Sequence, residues 1–136
     1  MKIKNYKKNK GVLVWLTGLS GSGKSTIAKK IYPQVVKNFG KTIIINGDDL
    51  RKIFRLYGFD EKDRYVNALK FSKLCKLITD QNVSIILTTY NMFERDSGKD
   101  DRSWLRKFDF QTLICDEAHG LKNEQSKQFW KFKSYG

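Results

Sequence analysis

Cysteine, histidine and proline are nearly missing from this chain of 136 residues, which has two, one and one of them. Cys75 and Cys115 have no CxxC partner and no second histidine nearby, so neither a zinc site nor a disulfide framework is expected, and each reads as a small buried hydrophobe. Long apolar runs are scarce as well. Val12 to Leu16 and Ile43 to Ile45 fall far short of the roughly 20 residues a membrane span needs, so no membrane partner is expected. Met1 to Lys10 carries five lysines but leads straight into a strand-like run, without the apolar stretch and small-residue cleavage site of a signal peptide. The expected location is the cytoplasm.

Acidic side chains are outnumbered, 14 against 27 basic, for a net charge of +13. The imbalance is local: residues 1–82 carry a net +12 and residues 83–136 a net +1. The lysines of residues 1–10 read as a solvated basic tail ahead of a single domain, 11–136. Nucleic-acid binding through the basic portion is the less favoured reading, because aromatic interleaving in the tail is limited to Tyr6. Against these shortages, 40% apolar and 13% aromatic residues are enough for a packed core and exclude a disordered chain.

The apolar run at Val12–Leu16 has the pattern of a strand buried on both faces. Ile27, Ile31, Val35 and Phe39 put one stripe on a helix over Ser25–Phe39 that stops at Gly40, with Pro33 expected to kink or split it. Lys41–Asn46 reads as a second strand followed by an acidic turn at Gly47-Asp48-Asp49, Arg64–Asp80 as an amphipathic helix, and Val83–Thr88 as a third strand. Beyond a polar loop come a short helix over Arg102–Phe108, a fourth strand at Thr112–Cys115 and a helix over Asn123–Phe132. Alternating strands and helices predict a three-layer α/β fold of about four strands in a mainly parallel sheet.

Gly18-Leu19-Ser20-Gly21-Ser22-Gly23-Lys24-Ser25 matches G-x-x-x-x-G-K-S between a strand and a helix. Glycines there let backbone N–H groups surround phosphate oxygens, and the helix adds its positive end. Gly18, Ser20, Gly21, Ser22, Gly23, Lys24, Ser25 and Thr26 are therefore the candidate nucleotide site. Lys24 neutralises the β- and γ-phosphates and Ser25 ligates magnesium, which makes ATP and Mg2+ the expected cofactors. An ordinary glycine-rich turn is the competing reading.

From Gly11 to about Phe93 the sequence resembles the adenylylsulfate kinase family, P-loop kinases that move the γ-phosphoryl of ATP onto the ribose hydroxyl of adenylylsulfate. The resemblance rests on GLSGSGKST at Gly18–Thr26, on Asn46-Gly47-Asp48-Asp49-Leu50-Arg51 against the family's Asp-Gly-Asp-Asn-hydrophobic-Arg turn, and on Gly58-Phe59 and Asp63-Arg64 with Asn67. It implies that Asp48 orients or deprotonates the acceptor hydroxyl and helps hold magnesium, that Arg51, Arg64 and Asn67 grip the acceptor nucleotide, and that Phe59 stacks on its base. Phosphoryl transfer needs mostly positioning and charge neutralisation, which suits that set. Turn chemistry or a helix cap is the alternative for Asp48 and Asp49.

From about Val83 to Lys133 the chain resembles the first motor lobe of Swi/Snf-type chromatin-remodelling ATPases, on Thr88-Thr89-Tyr90-Asn91-Met92-Phe93, on Asp100 to Lys107, and on Leu113 to Asn123 with its Asp116-Glu117-Ala118-His119 box. This second resemblance implies a chimera joined near 83–93, truncated relative to either parent, with Asp116 holding magnesium and Glu117 polarising an attacking water. The kinase arrangement of strands is expected to set Asp116 too far from Ser25 to share a metal with Asp48. ATP binding with at most weak transfer to adenylylsulfate is the leading expectation, since the kinase lid segment is not recognisable. A slow magnesium-dependent ATPase and a non-enzymatic nucleic-acid binder are the alternatives.

Overall fold

The computed structural model describes residues 10–19, 21–90, 112–115 and 132–135. Its elements run β1 (Leu13–Thr17), α1 (Lys24–Phe39), β2 (Thr42–Asn46), α2 (Gly47–Phe54), α3 (Glu61–Thr79), β3 (Ser84–Thr89), β4 (Thr112–Cys115) and β5 (Phe132–Tyr135). The strands form one sheet in the order β2-β3-β1-β4-β5, parallel except for the antiparallel β4–β5 pair.

The period-two alternation of strand side chains sorts the core into two layers. From β1, Leu13 and Trp15 point to the face covered by α2 and α3, where Leu50, Ala68, Phe71, Cys75, Ile85 and Leu87 join them. Val12, Val14 and Leu16 lie on the other face with Ile27, Ala28 and Val35 of α1, and with Ile86. β1 and β3 are thus apolar on both faces, and each is buried along its whole length. The edge strand β2 covers only one face well, and its Ile44 is 45% exposed. Burial pushes the Cys75 thiol up to about 12, so this residue is an inert core hydrophobe, as its isolation in the sequence implied.

Several sequence expectations shift here. α1 continues through Pro33 as one 16-residue helix. Pro33 sits on its exposed side, where water can satisfy the carbonyl that loses its partner. The acidic turn at Gly47–Asp49 is instead the first turn of α2, with Asn46 as N-cap: its side chain accepts from the Asp48 N–H, and Asp48 and Asp49 face the positive end of the helix dipole. α3 begins three residues earlier than expected because Asp60 caps it by accepting from the Asp63 N–H. Phe132, expected to end a helix, begins β5. The expected helix over Arg102–Phe108 and the rest of Asn123–Phe132 lie outside the described residues.

Candidate active site

The site lies at the C-terminal ends of β1, β2 and β3, where turns leave the sheet. Gly23, at φ 94°, takes a left-handed conformation that a residue with a Cβ adopts only at a cost, and it starts α1 without any side-chain cap. The first N–H groups of α1 therefore have no side chain of their own helix cap to satisfy them, the arrangement that receives phosphate. Ser22 is buried, and its hydroxyl has no hydrogen-bond partner among the described residues. A phosphate oxygen in the loop would fit both of these features.

Lys24 donates from Nζ to the carbonyls of Gly18 at 2.7 Å and Leu19 at 3.0 Å, so it rests on its own loop. Partial burial holds its ammonium below the ordinary lysine range, and the nearby Asp48 carboxylate opposes that shift. Asp48 reaches this position because α2 begins directly against the end of β3. A Cβ on Gly47 would come within 2.8 Å of the Thr88 carbonyl oxygen and 2.7 Å of the Thr89 methyl, so only glycine permits that approach.

A cleft of about 530 Å³ runs from Gly21–Thr26 past Asn46 and Asp48 to Phe59 and Tyr90. Its floor is tied across the sheet: Trp15 Nε1 donates to Thr89 Oγ1 at 2.8 Å, and Thr17 Oγ1 donates to the Tyr90 carbonyl at 2.9 Å. At the far end Phe59 is 60% exposed. The Arg51 guanidinium lies over its ring at 3.8 Å from the centroid, and Tyr90 meets it edge-on at 5.3 Å. Arg64 donates from Nη1 to the Phe59 carbonyl at 2.8 Å.

The structure therefore brings together Gly21, Ser22, Gly23, Lys24, Ser25, Thr26, Asp48 and Phe59 along one cleft, with Gly18 receiving Lys24 and Arg51 and Arg64 behind Phe59. Asn67 stands on α3, one turn beyond Arg64, and is only 4% exposed. Asn46 and Tyr90 were missed as site residues. The capping pattern of an asparagine before two acids could have pointed to Asn46. Tyr90 carried no local signal, since it joins the cleft through strand register alone. Ser20, Asp116, Glu117 and His119 lie outside the described residues. The strand that precedes Asp116 pairs with β1 on the side opposite β3.

Residues 10–127 match the family described as adenylylsulphate kinase. Among similar proteins, a cytidine diphosphoramidate kinase of Campylobacter jejuni is 33% identical over 91% of this chain and 72% of its own length. An adenylyl-sulfate kinase of Clostridium kluyveri is 38% identical over 78% of this chain and 53% of its own length. The chain spans about half the length of the adenylyl-sulfate kinases it matches. A Mycobacterium tuberculosis APS kinase CysC, solved in complex with AMPPNP and APS, superimposes with a TM-score of 0.57 at 29% identity, covering 79% of this chain and 63% of that one. The family match runs unbroken across residues 83–93 and past the Asp116–His119 box. The Swi/Snf-type resemblance finds no support in these comparisons, nor do ATP hydrolysis through Glu117 and a nucleic-acid partner.

Proposed function

The chain belongs to the adenylylsulphate kinase family, and on that premise we propose that it transfers the γ-phosphoryl group of ATP to a hydroxyl of a nucleotide acceptor, with adenylylsulfate as the leading acceptor. The observation that carries this reading is the single cleft joining the phosphate loop, Asp48 and an exposed aromatic ring. A triphosphate seated on Gly21–Thr26 directs its terminal phosphate toward Asp48. An acceptor base stacked on Phe59 brings its sugar to the same carboxylate. Asp48 orients the attacking hydroxyl and takes its proton as the new oxygen–phosphorus bond forms and the bond to the β-phosphate oxygen breaks. Lys24 exchanges its loop carbonyls for phosphate oxygens and neutralises their charge.

Magnesium suits the oxygen donors at hand. The Ser25 hydroxyl and the Asp48 carboxylate both line the cleft, and a phosphate-bound magnesium needs only one or two protein ligands. When bound it would spread the charge of the transferring phosphoryl group.

A second acceptor reading rests on the Campylobacter jejuni relative, whose likeness covers most of this chain: the acceptor is then cytidine diphosphoramidate. Incubating the protein with Mg-ATP and each acceptor in turn, and following new phosphate esters by phosphorus NMR, separates the two. One acceptor should be consumed, and Asp48→Asn should stop its consumption while ATP binding persists. If ATP binds and neither acceptor is phosphorylated, transfer to these acceptors is ruled out.

A further inference from the structure

Resting on the acceptor reading above, we propose that Arg51 is a positioning residue for the acceptor base: it braces one face of the Phe59 ring so that the other face receives the base, and it does not grip the acceptor's phosphate. This departs from the role its place in the Asn46–Arg51 motif implies. Arg51 is 7% exposed, although the residues that follow it, Lys52 to Arg55, are all exposed. A buried guanidinium must find compensation, and among the described residues it comes mainly from two aromatic rings. The guanidinium carbon is 3.8 Å from the Phe59 centroid and 4.7 Å from the Tyr90 centroid, while Nη1 reaches the Gly58 carbonyl only at 3.5 Å.

The two rings leave no slot between them. A base sandwiched by two aromatic faces needs them about 7 Å apart and parallel, twice the ordinary contact distance between stacked carbons. Phe59 and Tyr90 are 5.3 Å apart at 63°, edge to face. With the guanidinium over one face of Phe59 and Tyr90 at its edge, a 60% exposed ring offers a base one face. The backbone of the platform is fixed as well, by Arg64 Nη1 on the Phe59 carbonyl and by Thr17 Oγ1 on the Tyr90 carbonyl. To reach a phosphate, Arg51 would have to leave both rings and release Phe59.

A planar guanidinium packs flat on a ring, an ammonium over the ring keeps only part of that attraction, and both attract an anion. Binding of the uncharged nucleoside and of its charged nucleotide therefore separates the two roles. With the phosphate loop saturated by Mg-AMPPNP, adenosine and adenylylsulfate are titrated calorimetrically, with cytidine and cytidine diphosphate as a parallel pair. Arg51→Met should weaken nucleoside and nucleotide by the same factor, about 5- to 10-fold, as loss of a stacked cation predicts, and Arg51→Lys should weaken both equally but by less. The ATP-induced rise in unfolding temperature should be unchanged in both.

A nucleotide weakened by tenfold more than its nucleoside, or recovery in Arg51→Lys of nucleotide binding without nucleoside binding, would make Arg51 an anion ligand and overturn the proposal. Should the Arg51 variants fail to fold, Tyr90→Leu removes one ring from the guanidinium and leaves Arg51 in place. Equal weakening of nucleoside and nucleotide in that variant supports the brace, and unchanged nucleoside binding overturns it. If neither pair binds the wild-type protein, the acceptor reading itself falls and the proposal with it. Binding of a pair whose members respond unequally defeats the Arg51 role alone.

Discussion

The two ends of the cleft differ in what they are made of. At the phosphate end the working groups are backbone N–H donors of one continuous loop and helix, with Lys24 and Ser25 fixed beside them by sequence spacing. At the end proposed to take the acceptor, the groups are side chains gathered from α2, the segment after it, α3 and the end of β3. A backbone cradle recognises any polyphosphate and needs few specific residues. A platform of side chains selects among acceptors, and it is only as good as the packing that brings its parts together. The core mirrors this division, with α1 covering one face of the sheet and α2 and α3 the other.

The comparison breaks most sharply in the layer beneath the platform. Phe71 is fully buried among Leu50, Ala68 and Cys75, so Phe71→Ala should cost about 3–5 kcal/mol in urea unfolding. A loss below about 1 kcal/mol would mean that this layer does not support the acceptor end. At the phosphate end, Mg-ATP at 100 times its dissociation constant should stabilise the protein by about 2.7 kcal/mol. Lys24→Ala should remove most of that rise in a thermal melt with little change in the ligand-free midpoint, because among the described residues Lys24 hydrogen-bonds to its own loop alone. A rise that survives would place ATP elsewhere.

Phe59→Ala tests whether the two ends are separable. Base stacking on an aromatic ring is worth about 1–3 kcal/mol, so the acceptor KM should rise roughly 5-fold or more while the ATP KM stays constant. Parallel increases in both would show that the ends act as one. The last effect appears only at alkaline pH. The Cys75 thiol is raised from its ordinary 9.0 to about 12, so the folded state holds its proton where the unfolded chain releases it. Its contribution is fully present below pH 9 and is lost between pH 9 and 12, by about 1.4 kcal/mol per pH unit at most. Cys75→Ala should flatten that part of the stability profile measured by urea unfolding, and an unchanged slope would assign it to other groups.

Local pattern carried much of this architecture. Continuous apolar runs marked β1 and β3 because strands inside a parallel sheet are buried on both faces, and the register between them put Thr17 opposite Thr89. The stripe at Ile27, Ile31 and Val35 marked α1, whose buried side faces the sheet. α2 was hidden because eight residues give too little periodicity, and its start depends on how closely Gly47 can approach β3. β5 was hidden because the ladder it forms is with β4, a partner a local pattern does not reveal. In the site, Gly21–Ser25 was legible as a motif because spacing alone sets a backbone cradle. The part played by Tyr90 was not, since nothing near it in sequence says that it meets Phe59 and Arg51.

The sequence by itself determined the phosphate loop, the alternation of strands and helices, and the identity of Asp48 and Phe59 as candidates, because each depends on residues a few positions apart. The tertiary structure decided that β3 lies between β1 and β2, that Asp48 faces Lys24 across one cleft, and that Arg51 is buried against two rings. Apart from Phe59, eight residues beyond Arg51, those outcomes join segments separated by some 24 to 72 positions, and only packing against a shared sheet brings such segments into contact.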